Sequence, residues 1–163
     1  MCFVFLYLIK TFFFSIYPLV SSNSDSNDYD GKKQREKVAK MEREKKRRLV
    51  LVHGACHGAW CWYKVAALLK SNGHQFTALD MAASGIHPKH VHELNSISEY
   101  FEPLMDFLRS LPTEERVILV GHSFGGACIS VAMEMFPTKI AAAVFVTAWM
   151  PAPDLSFSTL LQE

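Results

Sequence analysis

The tightest constraint on how this chain can fold is a ten-residue stretch. In it Val117-Ile118-Leu119-Val120 runs without a break into Gly121-His122-Ser123-Phe124-Gly125-Gly126. A short, continuous, β-branched apolar run bounded by glycine reads as a strand buried on both faces. Beyond it Ala127, Val131 and Met135 recur at helical spacing, with a stop at Pro137. A G-x-S-x-G pattern between a strand and a helix places its serine on a tight turn. Glycines two residues to either side remove the Cβ atoms that would clash there. The helix N-terminus behind such a serine favours negative charge developing on a bound substrate. Ser123 is therefore the candidate nucleophile. The glycines do not form a phosphate loop, since no G-x-x-x-x-G-K-[ST] follows.

The surrounding texture repeats the same strand-then-helix unit. Leu49-Val50-Leu51-Val52 is an apolar run that stops at His53-Gly54, and Trp60 to Asn72 is helical in pattern with Gly73 as its stop. Phe76 to Leu79 reads as a second strand ended by Asp80. Ser96-Ile97-Ser98-Glu99 resembles a capping box that opens a helix to about Leu111, with Pro103 expected to disturb it. Ala142 to Thr147 reads as a fourth strand. Continuous apolar strands alternating with helices predict an α/β fold, a mostly parallel sheet covered by helices on both faces. Working residues in such sheets lie beyond the C-terminal ends of the strands, where Ser123 falls.

Residues 1–48 differ in character. The head, residues 1–22, is almost wholly apolar but carries Lys10 and Pro18, and no basic residue precedes its apolar stretch. It is a candidate signal or anchor, with membrane contact through residues 1–20. Residues 23–48 form a polar, then basic, linker. Ten of the 17 Lys and Arg residues lie between Lys32 and Arg48, and they conceal a mildly acidic remainder within a net charge of +1. No aromatic residue lies in that run, so a base-stacking platform is absent and no nucleic-acid partner is expected. Residues 49–163 make the domain.

His53, Cys56, His57 and Cys61 crowd around a glycine turn, but their spacing matches no zinc ribbon or finger, so no metal is expected. With Cys2 and Cys128, the cysteines form no CxxC pair and read as reduced thiols. The segment His53-Gly54-Ala55 follows the first strand, where the second half of an oxyanion hole belongs. The backbone N–H groups of Ala55 and Phe124 are the candidate donors. His53, Gly54, Gly121, His122 and Gly125 support the turn.

The blocks LVLVHGACHGAWCWYK, ALDMAASGI, VILVGHSFGGACIS and AAAVFVTAWMPAP resemble the plant methylesterase family of α/β-hydrolases, which includes salicylate-binding protein and is related to the plant hydroxynitrile lyases. The resemblance runs from about Leu49 to Glu163. It implies a cofactor-free serine carboxylesterase of methyl esters of hormone acids (methyl salicylate, methyl jasmonate or methyl indole-3-acetate), cytoplasmic in location. The alternative location is the membrane or secretory route, if residues 1–22 act. Its small-molecule partner would be the methyl ester or the free acid. Phe124 is bulkier than the Leu often found there in such esterases. Lyases of this type carry Thr directly after the first His; here that position is Gly54, which favours the esterase and leaves the lyase as the alternative enzyme.

A triad in this fold follows the order Ser, acid, His. All seven histidines precede or adjoin Ser123 on its N-terminal side, and the acids after it are Glu134, Asp154 and Glu163. By the resemblance the acid comes later than Asp154, which reads as a loop residue. His122 cannot readily deprotonate its own neighbour. The expectation is an incomplete hydrolase fold, lacking its last strands and most of its cap and inactive as it stands. A non-catalytic, hormone-binding remnant is the alternative of another class.

Overall fold

In the computed structural model of this chain, residues 31, 33–35, 37, 38 and 47–151 are described. They belong to two units, Met1–Val38 and Ala39–Glu163. In the first unit, residues 31, 33–35, 37 and 38 are helical and exposed, as the charged composition allows. The apolar head lies outside the described residues.

The second unit is built on four strands, β1 (Leu49–Val52), β2 (Phe76–Leu79), β3 (Val117–His122) and β4 (Ile140–Val146). All pair in parallel, in the order β2-β1-β3-β4. Helix α1 (Tyr63–Ser71) follows β1, α2 (Ile97–Ser110) follows β2, and α3 (Gly125–Met135) joins β3 to β4. This is the alternating, parallel arrangement that the apolar runs predict.

Alternation along the strands sorts the core onto two faces. Val50, Val52, Val117 and Leu119 join Phe101, Leu104, Met105 and Leu108 of α2 and Ala127, Cys128, Ile129 and Ala132 of α3 in one buried cluster. Leu51 and Val120 alternate to the opposite face, and Trp62, Val65 and Leu69 at the start and along the inner stripe of α1 are likewise buried. Truncating a buried leucine in such a cluster costs about 2–5 kcal/mol.

Three local expectations are revised. The segment from Ala59 begins as a 3-10 turn, Ala59–Trp62, before α1 starts at Tyr63. Its first turn is tightened because Cys61 N–H donates to Gly58 O and Ala59 N–H is captured by Asp80 Oδ1 at 2.6 Å. Pro103 lies inside α2 without ending it. Four large side chains of that helix are buried around the proline, and their packing outweighs one missing N–H. Strand β4 starts at Ile140, two residues early, because a register shift between Val117 and Ile118 passes Ala141 over. At the start of α2, Ser96 Oγ accepts from Glu99 N–H at 3.2 Å, while the Glu99 carboxylate reaches back to Asn95 N–H rather than to Ser96.

Candidate active site

Strand β3 ends at His122, Ser123 takes φ +52°, and α3 begins at Gly125. A left-handed conformation costs a side-chain-bearing residue about 1–3 kcal/mol, so its surroundings must hold it there. They do so through the main chain. Ser123 N–H donates to Val146 O at 3.4 Å, and Ser123 O accepts from Trp149 N–H and Gly126 N–H, each at 3.0 Å. The glycines are needed for close approach. A Cβ on Gly121 would stand 2.8 Å from Gly125 O, and one on Gly125 would stand 2.6 Å from Val52 O. The first turn of α3 is thus pressed against the end of β1.

Register brings the other half of the site alongside. Val52 pairs with Gly121, so β1 and β3 end level and the loop His53-Gly54-Ala55 emerges beside Ser123. Gly54 is buried against the serine; a Cβ there would lie 3.0 Å from Ser123 Cβ. His53 is fully buried, with Nδ1 2.7 Å from Gly54 O and Nε2 accepting from Met81 N–H at 3.0 Å. Burial drives its pKa below the ordinary 6.5, against the opposing pull of the Gly54 carbonyl and Asp80, in keeping with the lone pair that the Met81 N–H requires on Nε2. Ala55 is exposed directly after Gly54, and Phe124 directly follows Ser123. The Phe124 ring packs against Tyr100, Phe101 and Trp149 at centroid distances of 5.6, 5.7 and 6.0 Å.

His122 directly precedes the serine, and a further imidazole, His57, packs against His122. His57 stacks on Trp60 at 5.6 Å and meets His122 edge-on at 6.3 Å, and Trp62 meets His122 at 6.4 Å. Burial, then repulsion from His57 and His53, lowers the His122 pKa. Among the described residues no side chain is hydrogen-bonded to Ser123 Oγ. Glu134 is exposed on α3, and Asp154 and Glu163 lie outside the described residues. The three described cysteines are free. Burial raises the Cys61 thiol to about 11, and Cys128 higher still, which makes both inert.

Sequence reasoning passed over Asp80 except as a strand end. Its carboxylate accepts from Ala59 N–H at 2.6 Å and from Ile86 N–H at 3.4 Å, clamping the loop after β1 to the loop after β2. Gly58 and Gly85 leave the room: a Cβ on Gly58 would stand 2.7 Å from Asp80 Oδ1, and Gly85 has φ +59° beside the same carboxylate. The signal available was an acid at the end of β2 matched by two loop glycines.

Comparison with known proteins agrees with this geometry. Residues 47–162 match the family model described as alpha/beta hydrolase fold. Methyl jasmonate esterase 1 from Vitis vinifera is 62% identical over 120 residues, covering 74% of this chain and 46% of that protein. Methylesterase 10 from Arabidopsis thaliana is 50% identical over 123 residues, covering 76% and 45%. Among solved structures, tomato methylketone synthase I complexed with 2-tridecanone superposes with a TM-score of 0.69 at 53% identity, covering 72% of this chain and 45% of the other. The chain spans about half the length of the curated relatives it matches.

Proposed function

Because this chain belongs to the alpha/beta hydrolase fold family, in the branch of the plant methylesterases, we propose that it carries the nucleophile half of a serine carboxylesterase site for methyl esters of hormone acids such as jasmonate, salicylate or indole-3-acetate. The observation that carries this reading is Ser123, held at φ +52° between β3 and α3 with the backbone of Gly54 against it. In the proposed reaction Ser123 Oγ attacks the ester carbonyl and gives its proton to a general base. The N–H groups of Ala55 and Phe124 receive the charge on the carbonyl oxygen. Collapse expels methanol, and water then releases the free acid from the acyl-serine.

The test is hydrolysis of methyl jasmonate and methyl salicylate after the C-terminal half of a methylesterase is joined behind Glu163. Hydrolysis abolished by Ser123→Ala supports the reading; a folded product that cleaves cyanohydrins instead assigns the site to the lyase reading. A folded product that binds the free acid without hydrolysis assigns it to the binding reading. For the domain we propose cytoplasmic residence, tested with a fluorescent fusion of residues 1–48; delivery of that fusion to membranes would give the apolar head an anchoring role.

A further inference from the structure

His53 is the only polar residue among the described residues that is fully enclosed in the core, with 0% of its surface exposed. Both ring nitrogens are engaged. Met81 N–H donates to Nε2 at 3.0 Å, which requires a lone pair there and places the proton of the neutral ring on Nδ1. Nδ1–H then donates to Gly54 O at 2.7 Å. That carbonyl and the Ala55 N–H are the two ends of one planar trans peptide and point in opposite directions. Fixing the carbonyl therefore fixes the N–H, and hydrogen-bonding the carbonyl polarises the N–H into a better donor. The next peptide is held the same way, with His57 Nδ1 2.8 Å from Ala55 O. Ala55 is thus gripped on both sides.

From this geometry we infer that His53 is the positioning residue of the oxyanion hole, aiming and polarising the Ala55 N–H through the Gly54 carbonyl. The relay starts at the Met81 N–H beyond β2, passes through the imidazole from Nε2 to Nδ1, and crosses one peptide bond to the site. It rests on the reading of Ala55 as an oxyanion donor. An imidazole with a structural role alone would make the same two hydrogen bonds, so hydrogen-bond couplings test whether the relay exists and reaction rates test whether it acts on the site.

Two measurements on the 163-residue chain decide it. In nitrogen-15 NMR of the wild type, His53 should show a protonated Nδ1 and a bare Nε2 at pH 6.5, with hydrogen-bond couplings from Met81 N to Nε2 and from Nδ1 to the Gly54 carbonyl carbon. An Nε2–H tautomer, or no coupling to Gly54, overturns the inference. The second measurement is the rate at which Ser123 reacts with a fluorophosphonate in the His53→Leu, His53→Gln and His53→Asn variants. Losing an oxyanion donor outright costs about a hundredfold or more, so a mis-aimed one should slow the reaction by about tenfold in Leu and Gln. Asn, whose amide N–H stands where Nδ1–H does, should recover part of that loss. Equal rates in folded Leu and Asn variants overturn the inference. If Ser123 of the 163-residue chain does not react, the same variants are compared after the C-terminal half of a methylesterase is joined behind Glu163. A folded fusion without Ser123-dependent reaction sinks the proposed function, while loss of the Gly54 coupling separately overturns the role of His53. If the variants do not fold, an absent Gly54 coupling or an Nε2–H tautomer still overturns the inference.

Discussion

Gly54 and Ser123 come from different strands, yet a methyl group on Gly54 would stand 3.0 Å from Cβ of Ser123 and 3.2 Å from Nδ1 of His122. The proposed nucleophile and the loop that would receive the oxyanion are thus packed side chain to backbone, closer than an added Cβ tolerates. Gly54→Ala should therefore slow phosphonylation of Ser123 and lower stability by about 1–3 kcal/mol, the ordinary range for overpacking. Urea unfolding alongside labelling checks both effects; an unchanged labelling rate would show that the contact is slack. Gly54→Thr should crowd the serine further.

Labelling of Ser123 in the 163-residue chain should be slow. A serine hydroxyl is a weak nucleophile until a base takes its proton, and among the described residues no side chain is bonded to Ser123 Oγ. Supplying the second half of a methylesterase should raise the rate by about three orders of magnitude or more, the scale set by triad members. Fast, Ser123-dependent labelling of the chain alone would falsify this and show that the chain supplies a base of its own.

Stability should fall on the acid side of pH 6.5. Burial lowers the pKa of both His53 and His122 from 6.5, so the folded state binds fewer protons than the unfolded chain below that value. The stabilisation is complete above pH 6.5 and is lost as the pH drops, with a slope of up to about 1.4 kcal/mol per pH unit for each ring. Unfolding midpoints between pH 5 and 7.5 measure it, and His122→Gln should reduce the slope. A midpoint that rises toward pH 5 contradicts the assignment.

Asp80→Ala should cost about 2–3 kcal/mol, because a carboxylate that accepts from Ala59 and Ile86 is removed and two N–H groups lose their partner. Asp80→Asn should cost less, since its remaining carbonyl can still accept from Ala59. Faster hydrogen exchange at Ala59 and Ile86, with β3 amides unaffected, locates the loss. Gly85→Ala, at φ +59° against the same carboxylate, should be destabilising as well.

Much of this was legible in the residues. The four continuous apolar runs give β1 to β4, of which β1 and β3 are largely buried and β2 and β4 largely half-buried, and Gly121 and Gly125 mark the turn because a Cβ at either would clash. The ends of elements were harder to read. Ile140 joins β4 through a register shift that depends on the partner strand, and Ala59 is drawn into a 3-10 turn by a carboxylate 21 positions away. The role of His53 depends on a bond to Met81, 28 residues along the chain, and no local pattern announces it.

The bonds that hold Ser123 in its left-handed turn reach across to Val146 and Trp149, and they are made by main-chain atoms. Such a support is blind to the side chains that frame it. Substitution at position 146 can therefore drift between descendants of this chain without breaking that bond, whereas Trp149 also packs its ring on Phe124. Loss or gain of a single residue between Ile140 and Trp149 would shift every carbonyl by one step and release it. Gly126 is excluded from that freedom, since a Cβ there would meet Ala148 Cβ at 2.8 Å. Divergence in this stretch should thus run through replacements and never through changes of length, with position 126 fixed as glycine.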